Sequence, residues 1–168
     1  WITVGAAVFI AVLVLLRDHR VLQHYSYLIG LTAVGLLVAT MLVGTRINGA
    51  KLWISIGSGQ TIQLGEFAKV LIVVFLAGYL RDRREVLAIP TSRMLGIPMP
   101  PLRHLAPVLV FVGAALAAVV VLNDFGTALL FVGVFLAMLY LATGRVAYPA
   151  AGLATFVVGS VLVYLAVP

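Results

Sequence analysis

The stretch "IQLGEFAKVLIVVFLAGYL", residues 62–80, decides the fold class. Its first eight residues include three polar side chains, and the residues that follow form a long apolar run. Hydrophobic residues make up 64% of the 168-residue chain and charged residues only 10%. A soluble domain of this size needs more charge to cover its surface, and several apolar runs approach the roughly 20 residues that span a bilayer. The composition therefore predicts an integral membrane protein.

The apolar segments predict an all-α fold, a polytopic bundle of transmembrane helices in a single membrane domain. The runs are continuously apolar and lack the alternation of a membrane β-strand. The chain starts at Trp1 inside one apolar run and stops at Pro168 directly after another, so we expect a fragment of a longer protein. The predicted spans are residues 1–16, 25–44, 62–80, 105–122, 127–143 and 146–167.

The connections between these segments alternate in charge, which predicts their sidedness. Those on one side carry eight Lys and Arg residues, whereas those on the other carry only Arg46 and Lys51. Basic loops stay in the cytoplasm, so the charge bias orients the bundle. The loops predicted to be cytoplasmic are 17–24, 81–104 and 144–145, and those predicted to lie outside are 45–61, 123–126 and the C-terminal end.

Gln63, Glu66 and Lys69 form the first candidate site. On a helix that starts near Ile62, Glu66 lies about 6 Å and Lys69 about 10 Å into a hydrocarbon half-layer of about 15 Å. Residues three apart on a helix are neighbours, so Glu66 and Lys69 can pair, and Gln63 extends the same polar face. Charges at this depth are costly. Two interpretations stay open: an ion pair that fixes helix packing, and a site at the head of an outward-facing cavity.

The predicted outer loop "TRINGAKLWISIG" holds the second candidate set, Arg46, Asn48, Lys51 and Trp53. Arg provides a planar fork for phosphate oxygens, and Lys a compact charge. Structural alternatives are equally simple, because Trp53 suits a membrane interface and Asn48-Gly49 suits an ordinary turn.

"LNDFGTALL" holds the third candidate, Asp124, the only acid on the predicted outer side apart from Glu66. Asn123 or Asp124 can cap the next helix, and Gly126 can allow a tight break between the two helices. Capping and cavity lining are compatible, and both stay open for Asp124.

Several functional classes are excluded or unsupported. The chain has no cysteine, which excludes disulfides and thiolate metal sites. The stretch "GSGQTI" fails the spacing of a dinucleotide-binding loop and follows no predicted strand. Basic cytoplasmic loops account for the net charge of +6, so no nucleic-acid partner is expected. No metal site is predicted and no cofactor is identified, although a divalent cation stays an open alternative.

Taken together, three motifs resemble those of the shape, elongation, division and sporulation family, whose members include RodA and FtsW. The family pattern runs "NGARRWI", "QPSEFAK" and "QPDLGT". The corresponding stretches here are "NGAKLWI" (48–54), "QLGEFAK" (63–69) and "LNDFGT" (122–127). The resemblance implies that the chain covers about the second to seventh spans of a ten-helix protein.

This resemblance implies an enzyme of the bacterial inner membrane. Such glycosyltransferases polymerise lipid II, a polyprenyl-pyrophosphate-linked disaccharide pentapeptide, into peptidoglycan glycan strands beside a class B penicillin-binding protein. The alternative is a transporter that moves the same precursor through the same cavity. The implied substrate-binding residues are Glu66, Lys69, Gln63, Trp53, Asn48, Lys51, Arg46 and Asp124. The family's catalytic aspartate matches no residue here, so we expect the base to lie after Pro168 and the isolated chain to be inactive.

Overall fold

The structure is a computed structural model of the chain, and it describes residues 24–47, 49–57, 60–88, 92–94, 97–99 and 102–166. The predicted span 1–16, loop residues 17–23 and the candidate Asn48 lie outside the described residues. The described helices are α1 (Ser26–Val43), α2 (Leu64–Ala88), α3 (Leu102–Val121), α4 (Phe125–Thr143) and α5 (Ala147–Ala166). The described strands are β1 (Thr45–Ile47), β2 (Ala50–Gly57), β3 (Gln60–Ile62), β4 (Ser92–Met94) and β5 (Ile97–Met99).

The prediction of an all-α membrane bundle is confirmed, with short strands added to it. Three described helices are long and apolar enough to cross a bilayer, namely Ser26–Val43, Arg103–Val121 and Phe125–Thr143. Within α5 a shorter segment, Ala147–Val161, is strongly apolar. These helices account for a multi-pass membrane protein.

Helix α2 differs from the sequence expectation at both ends. It begins at Leu64 rather than near Ile62, because Ile62 belongs to β3, where it pairs with Ile54 of β2. It also continues to Ala88, through residues that were expected to form a loop. The segment "RDRREVLA" is charged but rich in good helix formers, so it leaves the apolar layer without leaving the helical conformation.

A three-stranded antiparallel sheet, in the order β1-β2-β3, connects α1 to α2. Thr45 pairs with Trp53 on one side of β2, and Ser55 pairs with Thr61 on the other. Ile47 pairs with Ala50, so only two residues connect β1 to β2, and Gly49 takes a φ of +87° there. The described residues of the predicted outer loop 45–61 therefore form a sheet between two helix ends.

The core lies between α1, α2, α3 and α4. Helices α1 and α2 make the most extensive contact, and α4 packs on α2. Phe75 of α2 and Phe131 of α4 are almost fully buried. Gly30 lets α1 approach closely, since a Cβ there lies 2.9 Å from the Phe75 ring and 3.2 Å from Phe111. Small residues permit this kind of close helix contact in membrane bundles.

At the opposite end of the bundle, hydrogen bonds connect α2 to the start of α3. The Tyr79 hydroxyl donates to the backbone carbonyl of His104 at 2.7 Å, and an Arg83 guanidinium nitrogen lies 3.3 Å from His104 Nδ1. Strands β4 and β5 form an antiparallel hairpin ahead of α3, and β5 contacts α5. The predicted cytoplasmic connection 81–104 therefore contains the end of α2 and the hairpin of β4 and β5.

Candidate functional site

The three motifs singled out in the sequence meet at one end of the bundle. Helix α1 ends there, α2 begins there, and the turn between α3 and α4 lies there. Strand β2 contacts both α1 and α2. The backbone N–H of Lys51 also donates to the carbonyl of Leu122 at 3.4 Å, which joins the sheet to the α3–α4 turn.

Glu66 and Lys69 form an ion pair, as the sequence predicts. Lys69 Nζ donates to Glu66 Oε1 at 2.7 Å, one helical turn apart. The Lys69 side chain is 22% exposed and that of Glu66 is 57% exposed. Glu66 lies in the first turn of α2, where the positive end of the helix dipole favours a carboxylate. The pair therefore presents a partly buried cation whose partner is held at a helix start.

Gln63 occupies a different position from the one expected. It precedes α2 instead of extending a polar face of the helix, and its backbone carbonyl accepts a hydrogen bond from the Glu66 N–H at 3.3 Å. Its side chain is partly buried. Gln63 is thus the single residue between β3 and α2.

Lys51 contacts the end of another helix. Its ammonium donates to the carbonyl oxygens of Met41 and Leu42 in the last turn of α1, the latter at 3.4 Å. The last carbonyls of a helix lack intrahelical partners and carry the negative end of the dipole. Lys51 therefore caps α1, and this contact accounts for its charge without any ligand.

Arg46 and Trp53 lie on the same sheet with different surroundings. Arg46 is exposed, and no hydrogen bond or ion pair of its guanidinium is seen among the described residues. Trp53 is partly buried, and its carbonyl accepts a hydrogen bond from the Thr45 hydroxyl at 2.9 Å. Arg46 is thus the exposed cation of the sheet, whereas Lys51 is committed to α1.

Asp124 is the N-cap of α4, so the capping interpretation is confirmed. Its Oδ1 accepts from the Thr127 N–H at 3.1 Å, and its Oδ2 accepts from the Thr127 hydroxyl at 2.5 Å. Thr127 is buried, and the sequence analysis missed it. The signal was available, since Asp three residues before a helical Thr places both side chains at a helix start.

Asn123, not Gly126, provides the break between α3 and α4. Asn123 has a φ of +59°, and Gly126 has no positive φ. The Asn123 N–H donates to Val120 O at 3.0 Å, and the Asp124 N–H donates to Val119 O at 2.9 Å. These two bonds are the pattern that closes a helix around a left-handed residue, for which Asn is the usual substitute for Gly.

The acidic side chains at this end are engaged by neighbouring residues. Within the described ranges, no group of three or more His, Asp or Glu side chains comes together. Glu66 is paired with Lys69, and Asp124 is engaged by Thr127. Lys69 and Arg46 are the cations of this end that are not committed to a helix cap.

Comparison with known proteins decides the family. A sequence profile described as "Cell cycle protein", which covers FtsW, RodA and SpoVE, matches residues 1–168. The chain belongs to the FtsW/RodA/SpoVE family. It is 37% identical over 164 residues to the peptidoglycan glycosyltransferase RodA of Mycobacterium leprae. This match covers 98% of the present chain and 35% of that protein. It is also 37% identical over 116 residues to the probable peptidoglycan glycosyltransferase FtsW of Alteromonas naphthalenivorans. That match covers 68% of the present chain and 20% of the relative.

A solved structure shares the fold of this family member. A chain from a structure titled "Structural coordination of polymerization and crosslinking by a peptidoglycan synthase complex" superposes with a TM-score of 0.70 at 22% identity. The match covers 99% of this chain and 46% of that one. The FtsW/RodA/SpoVE chain described here therefore spans about a third of its RodA relative and about half of that solved chain.

Proposed function

We propose that the whole protein is a peptidoglycan glycosyltransferase that polymerises lipid II into glycan strands. Family membership supports this, as do the relatives named peptidoglycan glycosyltransferase. The structural observation that carries the proposal is the Glu66–Lys69 ion pair, 2.7 Å long, at the end of the bundle where the three motifs meet.

The chemistry explains why a partly buried cation belongs there. Glycosyl transfer from lipid II releases a polyprenyl pyrophosphate, so negative charge develops on the leaving group. A preorganised cation stabilises that charge most effectively where water is scarce. Lys69 is 22% exposed, and Glu66 holds its ammonium in place. Lys69 is thus the proposed substrate-binding cation and Glu66 its positioning residue.

Arg46, Gln63 and Trp53 complete the proposed substrate surface. Arg46 is exposed on the sheet and can meet a phosphate group. Asn48 belongs to this proposal through the family motif alone. Lys51 and Asp124 have a structural role in this proposal, because Lys51 caps the end of α1 and Asp124 caps the start of α4.

The proposed orientation places this end outside the cell. Sidedness follows from the charge bias of the connections, which keeps the basic residues of 81–104 in the cytoplasm. The proposed partner is a class B penicillin-binding protein, which cross-links the strands that this enzyme makes. Support comes from the fold shared with a chain of a peptidoglycan synthase complex.

The test is polymerisation of supplied lipid II by the purified full-length protein with its partner. We expect Lys69→Ala to abolish polymer, and Glu66→Gln to lower the rate at least tenfold. Arg84→Ala and Glu85→Gln are matched controls, since both residues are exposed on the far end of α2. They should keep the wild-type rate.

Two other functions predict different results in the same experiment. A transporter of the lipid-linked precursor predicts unchanged polymer from supplied lipid II with lost translocation in Lys69→Ala. A purely structural subunit predicts that neither substitution changes glycan synthesis. Either result would overturn the proposed function.

A further inference from the structure

An apolar cavity opens between α3, α4 and α5, and it extends from near the start of α3 past the middle of that helix. Its volume is about 380 Å³, within the range of about 300–1,000 Å³ typical of ligand pockets. The walls come from residues 105–116 of α3, 132–139 of α4 and 148–156 of α5. The lining residues include Leu109, Gly113, Phe135, Leu139, Tyr148 and Phe156.

One polar group in this wall lacks a partner. Tyr148 is 3% exposed, and its hydroxyl is buried without a hydrogen bond among the described residues. The other hydroxyl of the wall is satisfied, because Thr155 donates to Ala151 O at 2.9 Å. A buried hydroxyl without a partner is unfavourable, so a ligand that brings an acceptor is favoured at Tyr148.

Basic residues flank the end of the cavity where Tyr148 lies. Arg103 is exposed and comes two residues before Leu105, which lines the cavity. Arg145 lies two residues before the start of α5, and its carbonyl accepts from the Tyr148 N–H at 3.4 Å. Helices α3 and α5 both begin at this end, so their dipoles add to the positive charge. An apolar cavity with a basic mouth matches a molecule with an apolar chain and an anionic head.

A hydrocarbon chain is narrow enough to lie along the three helices that line the cavity. The basic mouth favours an occupant with an anionic head.

We propose that this cavity holds one acyl chain of an anionic phospholipid from the leaflet on the predicted cytoplasmic side. The headgroup phosphate lies at Arg103 and Arg145, and an ester carbonyl of the lipid accepts a hydrogen bond from the Tyr148 hydroxyl. Anionic lipids are the natural counter-charge of basic residues on that face. The proposal does not depend on glycosyl transfer, because the residues that line the cavity include neither Glu66 nor Lys69.

A photoreactive lipid tests the site in the full-length protein. The probe is phosphatidylglycerol with a diazirine on one acyl chain, in vesicles of phosphatidylcholine, with labelled peptides mapped by mass spectrometry. We expect labelling in 105–116, 132–139 and 148–156. Excess unlabelled phosphatidylglycerol should compete, whereas phosphatidylcholine and inorganic phosphate should not.

Two glycine variants provide a matched pair. A Cβ at Gly113 or at Gly133 would meet no atom of the described residues within 4 Å, but of these two glycines only Gly113 lines the cavity. Gly113→Leu should reduce labelling at least tenfold, whereas Gly133→Leu should leave it unchanged. Tyr148→Phe and Arg103→Gln leave the cavity open but should weaken lipid binding. In each variant, the concentration of unlabelled phosphatidylglycerol needed to halve the labelling should be at least three times that of wild type.

Three outcomes would overturn the proposal. The first is equal labelling of Gly113→Leu and Gly133→Leu. The second is equal competition by phosphatidylcholine and phosphatidylglycerol. The third is efficient disulfide cross-linking of cysteines placed in the cavity wall to another part of the same protein or to a second copy, because protein would then fill the cavity.

Discussion

The ammonium of Lys51 donates hydrogen bonds to the carbonyl oxygens of Met41 and Leu42, at the end of α1. Lys51 belongs to the motif "NGAKLWI" (48–54), for which phosphate binding was one interpretation. In the structure its ammonium instead stabilises the end of α1. The same residue joins β2 to Leu122 through its backbone N–H. Lys51 therefore holds the sheet against two helices, and its loss should change the site through structure.

We predict that Lys51→Met lowers the stability of the full-length protein. The substitution keeps the side-chain length and removes the charge from the negative end of α1, which should cost about 1 kcal/mol. Thermal unfolding in detergent measures the change. Arg46→Met is the control, expected to stay within about 0.5 kcal/mol of wild type. An unchanged melting temperature for Lys51→Met would contradict the capping role.

The Glu66–Lys69 pair should give a measurable coupling energy. Because both side chains are partly exposed, we expect about 0.5 kcal/mol in a double-mutant cycle. Exchanging the charges, Glu66→Lys with Lys69→Glu, should restore only part of the stability, since a cation in the first turn opposes the helix dipole. Thermal unfolding of the single and double variants measures both effects, and strictly additive single changes would refute the pairing.

Asp124 variants should separate capping from substrate contact. Asp124→Ala removes the acceptor of both Thr127 hydrogen bonds and should cost about 1 kcal/mol, whereas Asp124→Asn keeps a capping oxygen. Asp82→Ala, at an exposed acid on α2, is the control and should be neutral. Full stability with lost polymerisation in Asp124→Asn would show that the carboxylate charge serves the substrate as well.

Two glycines of α1 should respond with opposite signs to the same substitution. Gly30→Ala places a methyl 2.9 Å from the Phe75 ring, which should cost about 1–3 kcal/mol. A methyl group at Gly35 would meet no atom within 4 Å in the part of the chain that the structure describes, so Gly35→Ala should gain about 0.5–1 kcal/mol from helix propensity. Melting temperatures of the two variants test this, and a common sign would show that the α1–α2 approach is wrong.

Much of this arrangement is predictable from sequence because it is local. Apolar runs predicted the helices, and a spacing of three residues predicted the Glu66–Lys69 contact. Asp124 ahead of a helix predicted its own cap. Each of these depends on neighbours within one turn of chain.

Other features depend on contacts that sequence spacing does not reveal. The sheet was missed because β1 and β3 have only three residues each, and their pairing with β2 gives them their conformation. The target of Lys51 lies 9–10 residues earlier, on a helix end that the sheet folds back to reach. The extension of α2 was missed because hydropathy reports the surrounding medium and not the backbone conformation.

The turn between α3 and α4 has a mechanical consequence. The Asp124 N–H donates one of the hydrogen bonds that end α3, and its side chain caps the start of α4, so only Leu122, Asn123 and Asp124 connect the two helices. Such a short connection limits how far α3 and α4 can move independently. A bend in α3 is most easily made near Pro107, which cannot donate to the carbonyl of Arg103.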